Sequence, residues 1–160
     1  MKDTAMSEPL HLARREHGLS RRQAVAAIGT ACIFAPAAAE ATPDTARRLL
    51  SELVKVAPKA GKVRIDIPEI AENGNSVPIA VAVDSPMTPT DHVRAIHIIS
   101  ERNPLPGVAS FLLGPDNGKA EVHLRMRLAE SQTVIAVAEL SDGSAWVATR
   151  EVKVTIGGCN

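Results

Sequence analysis

From Lys62 to the end of the chain, apolar and polar residues alternate with a period of two, the mark of strands buried on one face. Val63, Ile65 and Ile67 alternate with Lys62, Arg64 and Asp66 until Pro68 closes the run. Asn73-Gly74-Asn75 signals a turn, and Val77, Ile79, Val81 and Val83 mark a second strand. Pro86 and Pro89 interrupt the pattern before a third strand over 93–100. Further strands are predicted over 108–113, 121–128, 133–140 and 145–155, separated by Asn103-Pro104-Leu105-Pro106-Gly107, Pro115-Asp116-Asn117-Gly118 and the hairpin signal Asp142-Gly143. Six or seven short strands at this spacing predict a mainly β domain, an immunoglobulin-like antiparallel β-sandwich. Pro68, Pro78 and Pro104 read as edge and turn residues.

The period is different just upstream. Thr42-Pro43-Asp44 supplies a capping residue, a proline for the first helical position and an acid for the first turn. Ala46, Leu49, Leu50, Leu53, Val54 and Ala57 then recur at helical spacing and predict a short N-terminal helix that stops before Pro58 and packs on the sheet.

Residues 1–41 are of another kind. Arg14, Arg15 and Ser20-Arg21-Arg22 precede an apolar run from Ala24 to Pro36, and Ala37-Ala38-Ala39-Glu40-Ala41 offers small residues for cleavage. This is the three-part pattern of an export signal, removed from the mature protein. The apolar run is too short and alanine-rich for a stable membrane span. The serine before paired arginines points to the twin-arginine route, with the general secretory route as the alternative. Cleavage after Ala39 or Ala41 fits equally. The predicted location is the periplasm, and the predicted organisation is a signal at 1–41, a domain at 42–156 and a flexible tail at 157–160.

Composition narrows the function. The 160-residue chain carries 18 basic and 18 acidic side chains, so no basic field draws nucleic acid. Phe34, Phe111 and Trp146 are the only aromatic residues, which leaves no platform for stacking bases. His92, His97 and His123, with Asp84, Asp91 and Glu121 nearby, do not reach metal-ligand spacing and read as structural or surface residues. Arg94, Arg125 and Arg127 could form a small basic patch, although a solvated strand face is the commoner arrangement. There is no nucleophile elbow and no phosphate-cradling glycine loop. No catalytic residue, no metal and no intrinsic cofactor are predicted, and the chain does not read as an autonomous enzyme.

The cysteines are Cys32 and Cys159. Cys32 lies inside the signal; Ile28-Gly29-Thr30-Ala31-Cys32 also approximates a lipid-attachment site, with Gly29 where leucine is usual. Cleavage leaves Cys159 as the sole thiol of the mature protein. Gly157 and Gly158 place it on a thin flexible arm, which from Gly157 reaches on the order of 13 Å at about 3.3 Å per residue. No fixed base accompanies it in sequence, so the arrangement suits a covalent handle better than a catalytic nucleophile. The bland alternatives are a stray terminal thiol or an intermolecular disulfide.

Five stretches in this order resemble the SoxY family, the sulfur-carrier subunit of the periplasmic thiosulfate-oxidising system. They are 67–74 running into Val77-Pro78-Ile79, Asn103-Pro104-Leu105-Pro106, Arg125-Met126-Arg127-Leu128-Ala129, Leu140-Ser141-Asp142-Gly143 and Val154-Thr155-Ile156-Gly157-Gly158-Cys159. The resemblance implies a heterodimer with a smaller SoxZ-like subunit, and Cys159 as the attachment point for sulfur. A haem-containing enzyme would join thiosulfate to Cys159 as an S-thiosulfonate, a thiohydrolase would release sulfate to leave a persulfide, and a sulfur dehydrogenase would act later. The family tail usually continues with two glycines after the cysteine, whereas Asn160 stands here. A different class of function, a periplasmic binding or assembly module with an incidental cysteine, is the alternative.

Overall fold

The computed structural model describes residues 42–157, so the export-signal reading of 1–41, with Cys32, lies outside the described residues. Helix α1 covers Pro43–Leu53. The Thr42 side chain accepts from the Thr45 backbone N–H, and the Thr45 hydroxyl faces back to the Thr42 N–H at 3.0 Å, a reciprocal cap around the predicted start. The helix ends earlier than its apolar stripe. Val54 is already extended, with φ −116° and ψ 114°, because Pro58 and the β-branched Val54 and Val56 disfavour another helical turn.

Nine strands follow: β1 Lys59–Ala60, β2 Val63–Asp66, β3 Ile70–Ala71, β4 Val77–Val83, β5 Val93–Ser100, β6 Gly107–Leu112, β7 Glu121–Met126, β8 Gln132–Leu140 and β9 Ala145–Val154. The larger sheet runs β1-β9-β8-β5-β6, with β3 also on β9; the smaller runs β2-β4-β7. The mainly β, two-sheet sandwich with one short helix is the predicted fold class. The pairings are antiparallel except at one edge of β9, where β1 and β3 each add two residues in parallel. Pro78 lies in the middle strand of the smaller sheet, yet β2 pairs only as far as Ala80, so Pro78 needs no N–H on that side.

Alternation sorts the larger sheet into two buried faces. Ile96 and Ile98 on β5, Val134, Ala136 and Ala138 on β8, and Val152 on β9 meet Ile79, Val81 and Val122 of the smaller sheet in the main core. The intervening residues Ile135, Val137, Ala145 and Val147 face the other way and, with Ile99, are covered by Ala46, Leu49, Leu50 and Leu53 of α1. The helix therefore makes a third layer, which explains why β5 and β8 are buried almost throughout and lack the polar half of a two-layer strand.

The β8–β9 hairpin turns where Asp142-Gly143 predicted, with Gly143 at φ +81°. The Asp142 Oδ1 accepts from the Ser144 N–H at 2.8 Å. The Ser144 hydroxyl first, and then this N–H, hold the Asp142 carboxyl below its ordinary value. A carboxyl so depressed contributes stability when ionised and loses that contribution as pH falls from about 4 through its folded-state value. In Asp142→Ala, urea melts should show a small destabilisation at neutral pH that shrinks on acidification below about pH 4. A gap that grew there would contradict this account.

Candidate functional site

The candidate site is the point where β9 gives way to the tail. Strand alternation fixes its root on both sides. Toward β3, the Lys153 N–H donates to Glu69 O at 2.8 Å and the Thr155 N–H to Ala71 O at 3.1 Å. Toward β8, the Val154 N–H donates to Ser131 Oγ at 2.9 Å. The Thr155 hydroxyl donates to Glu72 O at 2.7 Å. One residue later, Ile156 O accepts from the Gly74 N–H at 2.7 Å, while Gly74 O accepts from the Leu128 N–H at 2.8 Å. Backbone pairing thus extends past the last residue of β9 and joins the 69–74 loop to the 128–131 loop.

Gly157 packs against the second loop, and a Cβ there would overlap the Ala129 carbonyl oxygen. Glycine permits this approach by having no side chain. The loop is shaped from beneath by two buried amides. Asn103 Nδ2 donates to Arg127 O at 2.7 Å, and its Oδ1 accepts from the Ala129 N–H at 3.0 Å and from Gln132 Nε2 at 2.9 Å. Gln132 Oε1 in turn accepts from the Arg102 N–H at 2.8 Å. Gly158 and Cys159 lie outside the described residues, with Asn160.

The sequence motifs converge here. Residues 69–74, Asn103, 127–129 and 154–157 come from separate stretches and meet around one strand end, while 140–143 lies at the opposite end of β9, in the hairpin. Sequence reasoning missed Asn103 and Gln132. The signal available was an asparagine heading a proline-rich turn, but its partners lie 24 to 29 residues away. Ile70 and Ile156 are 60% and 64% exposed beside the root, unusual for large aliphatics.

The histidines do not gather. His92 precedes β5 and its Nδ1 lies 3.1 Å from Thr88 O. His123 is on the exposed side of β7, 3.0 Å from Glu121. His97 is buried on β5, with Nδ1 2.8 Å from Ser110 Oγ and Nε2 3.1 Å from Glu139 Oε1. The carboxylate can only accept, so Nε2 carries its proton toward Glu139. This chain links β6, β5 and β8 across the sheet and acts as a cross-strand tie. Among the described residues no group of three His, Cys, Asp or Glu could hold a metal ion. Arg94 sits on β5 of the larger sheet and Arg125 on β7 of the smaller, where Arg125 Nε donates to Ser76 Oγ at 2.6 Å, while Arg127 follows β7, so the two strand arginines lie on different sheets. A cleft beside the root holds Glu101, Arg102, Glu151 and Lys153, two acids and two bases, and offers an anion no net charge. No helix among the described residues is long and apolar enough to cross a membrane.

Comparison with known proteins adds to this geometry. Residues 47–159 match the profile of the family described as sulfur oxidation protein SoxY. The sulfur carrier protein SoxY from Chlorobium limicola f thiosulfatophilum is similar in structure at a TM-score of 0.57 and 37% identity, over 69% of this chain and 96% of that one. The superoxide reductase (neelaredoxin) from Ignicoccus hospitalis aligns at a TM-score of 0.52 and 21% identity, over 71% of this chain and 93% of that one, a likeness of fold alone. Among curated protein sequences no significant match was found.

Proposed function

We propose, from the premise that this chain belongs to the SoxY family, that Cys159 holds thiosulfate-derived sulfur and presents it to partner enzymes. The observation that carries the reading is the reach of the family match, which runs through the tail to residue 159 and so includes the thiol. A sulfur-carrier role is the common property of the family and of the similar SoxY structure.

Loading is an oxidation. The Cys159 thiol and thiosulfate form a sulfur–sulfur bond, one proton leaves, and two electrons pass to a haem-containing partner, giving an S-thiosulfonate. Water then attacks the terminal sulfonate sulfur in a thiohydrolase; the bond between the two outer sulfurs breaks, sulfate leaves, and Cys159 keeps a persulfide for the sulfur dehydrogenase. The chain contributes a tether and leaves the bond chemistry to its partners. It does so as one subunit of a heterodimer with a SoxZ-like protein, in the periplasm, after removal of 1–41. A thiol that visits several enclosed sites gains from a narrow arm, and Gly158 has no side chain to obstruct entry.

Intact mass spectrometry of the protein from cells oxidising thiosulfate tests this. Adducts of added sulfur or thiosulfonate, removed by reductant and confined to Cys159, are expected. An unmodified thiol during active oxidation would overturn the proposal and favour a binding module.

A further inference from the structure

The buried amide of Asn103 has no part in holding sulfur, yet its contacts run directly to the root of the tail. Its Oδ1 accepts from the Ala129 N–H and its Nδ2 donates to Arg127 O, so one side chain spans the bend that carries the Ala129 carbonyl. That carbonyl is the surface against which Gly157 is seated. Gln132, also buried, closes the other side by donating to the same Oδ1. A buried amide so fully engaged is costly to disturb, because each freed partner would be left without a hydrogen bond. We infer that Asn103 is a positioning residue: through the Ala129 carbonyl it fixes Gly157 and so sets the direction in which the thiol arm leaves the domain. Gly157 accordingly belongs to the mount. For its use in sulfur transfer this rests on the carrier reading; as geometry it does not.

The arrangement has a purpose that rigid anchoring elsewhere would not serve. An arm of few residues cannot search widely, so the direction of its base decides which openings it can enter. Ala129 has no side chain that could hold its own carbonyl in place, and the carbonyl depends on the Asn103 contact to its N–H.

The test uses the full chain with Cys32→Ser, so that Cys159 is the one native thiol. A nitroxide on Cys159 is paired with another at Lys119→Cys, an exposed site in the loop before β7. Distances are measured by pulsed EPR for the parent, Asn103→Ala, Gly157→Ala and the double variant. Loading by the thiosulfate-conjugating partner is measured in parallel on the same variants with Lys119 retained and no label, so that the Cys159 thiol is free. Asn103→Ala and Gly157→Ala are each expected to shift the distance distribution and to lower kcat/KM for loading about ten- to a hundredfold. The double variant should fall no further than the worse single one, because both changes act on one contact. Val93→Ala, at the opposite end of β5 from Asn103, is a control for lost stability and should alter neither reading. If Asn103→Ala does not fold, Asn103→Ser serves in its place. A distribution unchanged in the Asn103 variant, or losses that multiply in the double variant, overturns the inference. Should even the parent fail to load, the carrier reading falls while the distances still decide the positioning.

Discussion

Cys159→Ser should abolish thiosulfate oxidation while leaving the domain folded and its melting temperature unchanged. Serine keeps nearly the size and shape of the residue and replaces the sulfur with oxygen. An alcohol forms no sulfur–sulfur bond with thiosulfate, and at neutral pH its oxygen is a far weaker nucleophile than a thiol, which is already a few per cent ionised. The expected loss is complete, because the proposed removal of 1–41 takes Cys32 with it and leaves no second thiol. The described core and the pairing of the tail root are traced as far as Gly157, upstream of the substitution. Thiosulfate consumption by cells expressing the variant, compared with a thermal melt of the purified protein, separates chemistry from folding. A normal rate with Cys159→Ser would sink the carrier reading outright.

The second large effect concerns stability. Ile96 on β5 is fully buried between the two sheets. Its cross-strand neighbours are Phe111 on β6 and Ala138 on β8. Ile96→Ala removes three methyl or methylene groups and leaves a hole whose floor includes Ala136 and Ala138, residues too short to lean into it. Large-to-small changes at such sites cost about 2–5 kcal/mol, and more where the surroundings cannot collapse. We expect the upper part of that range, which is a large share of the roughly 5–15 kcal/mol that holds a small domain together. Urea denaturation monitored at Trp146, which packs partly against the same core, measures it. A loss below about 1 kcal/mol would mean that the two sheets close over the gap.

Much of this architecture was legible in the chain. Strict alternation from Val77 to Val83 and an apolar run from Val93 to Ser100 gave those two strands to the residue. Thr42-Pro43 gave the start of α1 because capping is local chemistry written in adjacent residues. What escaped was long-range. Lys59–Ala60 and Ile70–Ala71 are too short to show a period, and they are strands only because β9 offers them an open edge. The same holds at the site. Gly157 read as the first residue of a free arm because a missing side chain looks alike whether it gives freedom or makes room for a close contact. Only the position of Ala129 distinguishes the two. Asn103 read as part of a rigid turn, and the three partners that give its side chain a task lie between Arg127 and the start of β8, more than twenty residues downstream.

The edge of β9 has a consequence for the order in which the molecule can be completed. Two early segments, β1 and β3, have no strand to join until β9 exists, and β9 follows all the other described strands in the chain. Contacts of such sequence separation form late, after the entropy of closing the intervening chain has been met. A product terminated before Ala145 would leave β1 and β3 unpaired and the larger sheet open along β8, an edge of the kind that invites aggregation. Completion of the sheet thus serves as a length check: a chain that closes it has already made the strand that leads to Cys159.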